Sequence, residues 1–322
     1  MNNQADEPTN ASNKISWERE VVEKLAFAAI TEQRRARRWG IFFKMLMFGY
    51  LLAILGVTMY PKFKQEIGGG KNHTAVINLS GMIAEDQNAN ADSIIDSLRS
   101  AAKDKNTKGI ILHANSPGGS PVQSAYIYDE IKKLKKEHPT LPIHAVVSDI
   151  CASGCYYIVS ATDKIYASPA SLIGSIGVIM DSFGFVETMK ILGVERRLIT
   201  AGAHKALLDP FSPRKPDEQQ YMQGLIDQVH QQFINAVKNG RGARLKETPD
   251  MFSGLVWTGE ESIKLGIIDA IGNQDYVAKE VIGAETLIDY TQQERLVDRI
   301  AGKLGASLGL SLNDLVKGWF LH

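Results

Sequence analysis

The chain has 322 residues, with 36 Lys plus Arg balanced by 36 Asp plus Glu, and is 44% apolar and 22% charged. These proportions exclude collagen-like and wholly disordered chains, and a net charge of zero argues against a protein whose work is gripping nucleic acid. The length suits one large domain or two smaller ones.

Charge is uneven along the chain. Residues 1–32 hold six acids and three bases, and then come Arg34, Arg35, Arg37 and Arg38. Directly after them residues 39–60, WGIFFKMLMFGYLLAILGVTMY, form a 22-residue run with no acid and one base, Lys44. About 20 apolar residues span a bilayer core, so the run predicts one transmembrane helix. Lys44 lies near the basic end, where its stem can snorkel, and Trp39 and Tyr60 bracket the span as interfacial aromatics do. Bases stay on the cytoplasmic side, which puts the N-terminal segment 1–38 inside and the rest of the chain outside. A cleaved signal peptide begins closer to the N-terminus and ends in small residues, unlike Met59-Tyr60-Pro61, so an uncleaved anchor in the lipid bilayer is expected.

Residues 61–73, PKFKQEIGGGKNH, read as a flexible stalk because of their polarity and three consecutive glycines. From Thr74 strands and helices alternate. TAVINLSG, GIILHA, PIHAVVSDI and DKIYAS read as strands, while ADSIIDSLRSAAKD, SAYIYDEIKKLKK, CASGCYYIVSAT and SFGFVETMKILG read as helices. Such alternation implies an α/β fold of right-handed βαβ crossovers on a mainly parallel sheet. Residues 216–238 carry Met222, Leu225, Ile226, Val229, Phe233, Ile234 and Val237 on one stripe, which predicts a core-packing helix. The segment 291–322 repeats a similar stripe through Leu296, Ile300, Leu304, Leu308, Leu312, Leu315 and Trp319, suited to the domain, a neighbouring subunit or lipid.

Two short runs are candidates for chemistry. Asn115-Ser116-Pro117-Gly118-Gly119-Ser120 follows the GIILHA strand, where adjacent glycines let backbone N–H groups approach a ligand. Ala152-Ser153-Gly154-Cys155 sets a hydroxyl at the start of a helix, a place that serves either an oxyanion site or an ordinary helix cap. This is not the G-x-S-x-G elbow, since Cys stands at both 151 and 155. The serine needs a base. His113, His144 and His204 are each without a matching acid in a recognisable frame. Lys205, a single lysine among small and apolar residues, reads either as a solvated surface side chain, the usual place of a lysine, or as a buried amine able to take that role. Cys151 and Cys155 are the only cysteines. Read as a helical i, i+4 pair they are poorly placed for a disulfide, so two free thiols are expected. The seven His and two Cys show no zinc-ligand spacing, and neither metal nor cofactor is expected.

NSPGGS at 115–120, the block ASGCYYIVSATDKIYASPASLIGSIGVI at 152–179 and GLVWTGEESIKLGIIDAIG at 254–272 together resemble the SppA family of signal peptide peptidases, in its shorter single-domain form. The resemblance covers about residues 74–290, in the family's order. It implies the Clp protease/crotonase-like fold and a membrane-anchored serine peptidase. By that resemblance Ser153 matches the nucleophile, Lys205 the general base and Ser175 a serine that hydrogen-bonds the base. The oxyanion hole is similar to one made by the N–H groups of Gly118, Gly119 and Gly154. Cys155 departs from the glycine usual there, which puts subsite shape in question. The family further implies a homo-oligomer whose sites join Ser153 of one copy with Lys205 of the next. Remnant signal peptides are the implied substrates, cut at the outer face of a bacterial inner membrane. Leu172, Ile173, Ile176 and Val178 are candidates for lining the peptide site or for the core. A peptide-binding scaffold without proteolysis is the alternative, and a crotonase-like acyl-CoA enzyme fits poorly with an exported domain.

Overall fold

The computed structural model describes residues 10–68 and 71–292. Residues 1–66 and residues 67–322 form two separate units. The described residues of the first lie in one helix, α1 (Asn10–Gly68), which contains the apolar segment Val21–Gly56, long and apolar enough to cross a membrane. Its large apolar side chains are exposed from Val21 to Leu55, with Trp39 and Phe43 stacked at 5.7 Å. The predicted stalk is different: the helix continues through residues 61–68. KFKQEI contains good helix formers that extend a turn already begun, and the helix stops where the glycines start. The C-terminal stripe lies, from residue 293 on, outside the described residues.

The second unit runs β1 (His73–Ser80), α2 (Ala91–Lys103), β2 (Thr107–Ser116), α3 (Pro121–Glu137), β3 (Ile143–Ala152) and α4 (Gly154–Val159). It continues β4 (Lys164–Ala167), β5 (Leu172–Gly174), α5 (Val186–Leu192), α6 (Pro216–Arg241), β6 (Val256–Thr258), α7 (Gly259–Lys264), β7 (Ala270–Ile271) and β8 (Leu287–Asp289). The helix starts follow local chemistry. Asn90 caps α2 by accepting the Ser93 N–H, Ser120 caps α3 ahead of Pro121, and Thr258 caps α7.

Among the described residues eight strands form one sheet, ordered β6-β5-β3-β2-β1-β8, with β4 beside β3 and β7 beside β4. All pairs are parallel except β5–β6. This is the mixed α/β architecture expected of a Clp-protease-like domain. Alternating residues serve the two faces. Ile110 and Leu112 of β2 point into the main core with Ile77, Leu98, Ile127, Ile131 and Tyr156. Ile111 points the other way, to Val146, Tyr166 and Val277.

Two helices differ from expectation. The segment 151–162 is not helical from its start, because β3 extends to Ala152 before α4 begins. Helix α6 buries its apolar stripe only in its C-terminal half, at Phe233, Ala236 and Val237 beside Arg241; its N-terminal half buries only Glu218, and Leu225 is exposed.

Arg241 is wholly buried. Its Nε donates to the Gly266 carbonyl at 3.0 Å and its Nη1 to Asp269 at 2.8 Å. Asp269 also accepts the Ile165 N–H and a bond from Arg244, so the pair ties α6 to the β4 and β7 edge. Burial alone would raise the Asp269 carboxyl, but the hydrogen bond and charge of Arg241 outweigh it and hold it below the usual carboxylate range. A depressed carboxylate stabilises the fold above its unfolded value of about 3.9, and the gain is lost as pH falls through the lower folded value. Arg241→Ala is expected to cost about 3 kcal/mol by leaving Asp269 without its main partner. Chemical denaturation as a function of pH checks this: the variant should be less stable at neutral pH and lose less on acidification than the parent.

Candidate active site

Strand β3 forks the sheet. Its first half pairs with β4, His144 to Lys164 through Val147 to Ala167, and its end pairs with β5, Ile150 to Leu172 through Ala152 to Gly174. Between them the register to β2 slips, from Ala114 opposite Val147 to Ser116 opposite Cys151, a bulge that redirects the end of β3. The chain then turns sharply. Ser153 has φ 53° and ψ −122°, a conformation L residues rarely adopt, which costs about 1–3 kcal/mol when the surroundings enforce it. Two backbone bonds hold it: its N–H donates to Gly174 O at 2.9 Å, and its carbonyl accepts Tyr157 N–H at 3.0 Å. Each contributes about 1 kcal/mol, so the bonds alone only match the strain.

The cysteines flank this turn and are joined by a disulfide, which overturns the expected free thiols. They are not a helical pair. Cys151 belongs to β3 and Cys155 to the first turn of α4, and the reversal at Ser153 brings their Cα atoms to 5.2 Å, within disulfide range.

Ser153 sits at the N-cap position of α4, yet its side chain makes no capping bond. The purely structural role open to it in the sequence is therefore not the one it fills. The glycines of the SPGG turn crowd against it. The Gly118 carbonyl accepts Ile83 N–H at 2.9 Å and the Ile83 carbonyl accepts Ser120 N–H at 2.8 Å, pinning the turn to the segment after β1. A Cβ on Gly118 would stand 2.7 Å from Ala152 O and from Gly154 N, and one on Gly119 would overlap the Ile83 carbonyl. The expected donors are not equivalent. The Gly118 N–H donates to Ser116 Oγ at 3.1 Å. Among the described residues the N–H groups of Gly119 and Gly154 make no such bond. They are close together, the position of a Gly154 Cβ lying 3.3 Å from Gly119 N.

Ser153, Ser175, Gly118, Gly119 and Gly154 line one cavity of about 710 Å³. Ser175 is held at φ 50°, with its N–H donating to Leu255 O at 2.7 Å. Gly174 before it lies under the Trp257 ring, which a Cβ would approach to 2.7 Å. His230 on α6 donates from Nε2 to the Ile176 carbonyl at 3.1 Å and supports the same loop. Trp257 and His230 escaped the sequence reading; a histidine beside Val229 inside an apolar stripe was the one available signal. The cavity walls are apolar, from Met82, Val122, Tyr126, Tyr157, Val229 and Phe233. Of the four lining candidates only Val178 is there. Ile173 and Ile176 are core residues, and Leu172 is exposed on β5.

The histidines lie elsewhere. His113 is on the opposite sheet face, 2.7 Å from Ser148 Oγ and 3.0 Å from Asn78 Oδ1, and burial pushes it below the usual histidine range. His144 is buried against Tyr166, with the same downward direction from burial. His204 and Lys205 are exposed on a long arm. Lys205 is thus not the buried amine expected, and it does not line the cavity of its own chain. The reason is the arm: from Gly177 to Asp217 no residue is buried, so the apolar neighbours of Lys205 pack on no core.

The chain matches the family model for peptidase family S49 over residues 135–286 and that for Clp protease over residues 72–171. It is 42% identical over 198 residues to a Na(+)/H(+) antiporter NhaA of Brucella abortus, a match covering 62% of this chain and 27% of that protein. The chain therefore spans about a quarter of that relative's length. It is 28% identical to a putative protease of Methanocaldococcus jannaschii, over 72% of this chain and 76% of that one. It is also 28% identical to a putative signal peptide peptidase SppA of Enterococcus faecium, over 70% and 67% of the two chains. The S49 match takes in the Ser153 turn, Ser175 and Lys205, and together with these relatives it makes the chain similar to the SppA-type peptidases of family S49.

Proposed function

We propose that the protein is a membrane-tethered serine peptidase in which Ser153 attacks a peptide carbonyl and Lys205 of a second copy is the base. The observation that carries this reading is the Ser153 turn: a hydroxyl not spent on capping, beside two N–H groups that have no acceptor among the described residues, in an apolar cavity. Such an arrangement supports acyl transfer. The lysine takes the proton of Ser153 Oγ as that oxygen attacks. The oxyanion rests on the Gly119 and Gly154 N–H groups at the first turn of α4. The lysine then gives the proton to the leaving amine, and the acyl-enzyme is released by water activated at the same base. Gly118, its N–H already engaged, shapes the turn. Ser175 is the group that orients the incoming amine.

The arm supports a base supplied in trans. Lys205 is exposed in its own chain, and the same arm shows Ile191 and Ile199 at 85% and 97% exposure, together with Phe183 and Leu192. A homo-oligomer that covers this surface would also supply the desolvation a lysine base needs. The apolar cavity favours extended apolar peptides, and remnant signal peptides left in a bilayer have that chemistry. Helix α1 and the Arg34–Arg38 cluster favour a bacterial inner-membrane protein with its N-terminus in the cytoplasm and the peptidase unit outside. The joined Cys151 and Cys155 suit that oxidising side.

Ser153→Ala and Lys205→Ala should each lower turnover of an unfolded apolar peptide by about a thousandfold or more, with the fold unchanged by circular dichroism. Co-expressed in equal amounts, the two inactive chains should recover about a quarter of wild-type activity if sites form between copies, since random neighbours pair an intact serine with an intact lysine that often. Zero recovery would place the dyad within one chain. Gly118→Ala should lower kcat by about a hundredfold through displacement of the Gly154 donor, measured beside unchanged peptide binding.

A further inference from the structure

We propose that the Cys151–Cys155 disulfide is a positioning tie for the nucleophile, so that the oxidised chain is the competent form of the enzyme. This rests on Ser153 being the nucleophile.

The bridge closes a loop that contains only Ala152, Ser153 and Gly154. Two functional groups therefore lie inside it, the Ser153 hydroxyl and the Gly154 N–H. Both ends of the loop are anchored in the core. Cys151 is wholly buried, opposite Ser116 of β2 and Ile173 of β5, and Cys155 is wholly buried on α4. The turn between them carries Ser153 at φ 53°, and the two backbone bonds at Ser153 only offset that strain. Something further has to keep the turn from relaxing. Steric crowding restrains one side, since a Gly154 Cβ position lies 2.5 Å from Ser124 Oγ. On the core side, the bridge adds a second covalent link between the two limbs besides the main chain of the turn. Rotation of Ser153 towards an ordinary φ would swing its hydroxyl and the Gly154 N–H together, away from Gly119. The cavity walls from Met82, Val122 and Phe233 belong to other elements and would stay in place. Loss of the tie should therefore harm the chemical step and spare peptide binding.

Reduction is balanced as a dithiol exchange. Two electrons and two protons pass from a dithiol to the bridge, leaving Cys151 and Cys155 as thiols and the reagent as a cyclic disulfide. Because both sulfurs are buried, the exchange requires local opening and should be slow in the folded chain.

The test uses the full chain in detergent. The double variant Cys151→Ala with Cys155→Ala should show kcat at least tenfold lower with KM within twofold. Its labelling of Ser153 by a fluorophosphonate should slow in parallel, at a temperature where melting shows the variant fully folded. A role in stability alone would leave kcat of the folded fraction unchanged. In a second arm, wild-type enzyme is incubated with dithiothreitol and its free thiols are counted by alkylation and mass spectrometry. Activity should follow the oxidised fraction and return on reoxidation, and this arm decides the matter if the double variant does not fold. The proposal is overturned if the double variant keeps kcat within twofold, or if wild-type enzyme with both thiols free turns over at the oxidised rate. Absence of fluorophosphonate labelling in oxidised wild-type chain would overturn the nucleophile assignment as well, whereas labelling and turnover lost in Ser153→Ala but kept in the cysteine variants would overturn the tie alone.

Discussion

The N–H of Ser153 donates to the carbonyl of Gly174, and the candidate site is organised around that one rung. It is the last bond of the β3–β5 pairing and it joins two turns that both place a serine at positive φ, Ser153 directly and Ser175 one residue on. Each turn is then secured from outside. The Ser175 N–H reaches Leu255, Trp257 covers Gly174, and Ile83 pins the SPGG turn against Ser153. Strain that would be a defect in an isolated loop is sustained here because neighbours determine it from several sides. The fork in β3 makes this possible. A strand continuing straight beside β4 would carry Ser153 past the glycines rather than against them.

Much of this was legible in the sequence. The strands of the central sheet and the helices α2 and α3 follow from runs of apolar residues at the right period, and the glycine pair at 118–119 announced a close backbone approach. Ser153 and Ser175 were marked by the family blocks. What escaped detection depends on distant partners. The spacing of Cys151 and Cys155 reads as helical unless β3 is known to extend to Ala152 and reverse there, and periodicity cannot show that. Arg241 looks like a surface residue ending a helix, and only the fold brings Asp269 to it. Lys205 looked like a buried amine because its neighbours are small and apolar. Composition gives apolarity, but burial needs something to pack against.

The arm between β5 and α6 is unlike the rest of the unit. It has helix α5 with a left-handed cap at Gly193, and ion pairs such as Lys190–Glu187, but no buried residue from Gly177 to Asp217. Exposed ion pairs of this kind contribute little. Its conformation must then draw on backbone turns and on whatever covers its apolar residues. The N-terminal half of α6 shares that condition, since its stripe is well formed and unburied. The same amphipathic pattern therefore marks two different situations, a helix already packed at Phe233 and Val237, and a helix still presenting Leu225.

Strand β8 closes the sheet on the far side from the site, beside β1, and Tyr290 just after it reaches back to His73 across 217 residues of sequence. Its hydroxyl also donates to Asp104 at 2.6 Å, and Thr291 accepts the Asn78 N–H. In a chain made from its N-terminus, β1 emerges first and these partners last. Until they arrive, the edge of β1 has unpaired N–H and carbonyl groups, the kind of edge that recruits stray strands. Closure over so long a separation is intrinsically slow. The order of emergence thus leaves this edge of the first strand open until the last strand is made, because an early β1–β2 pair covers only the opposite edge.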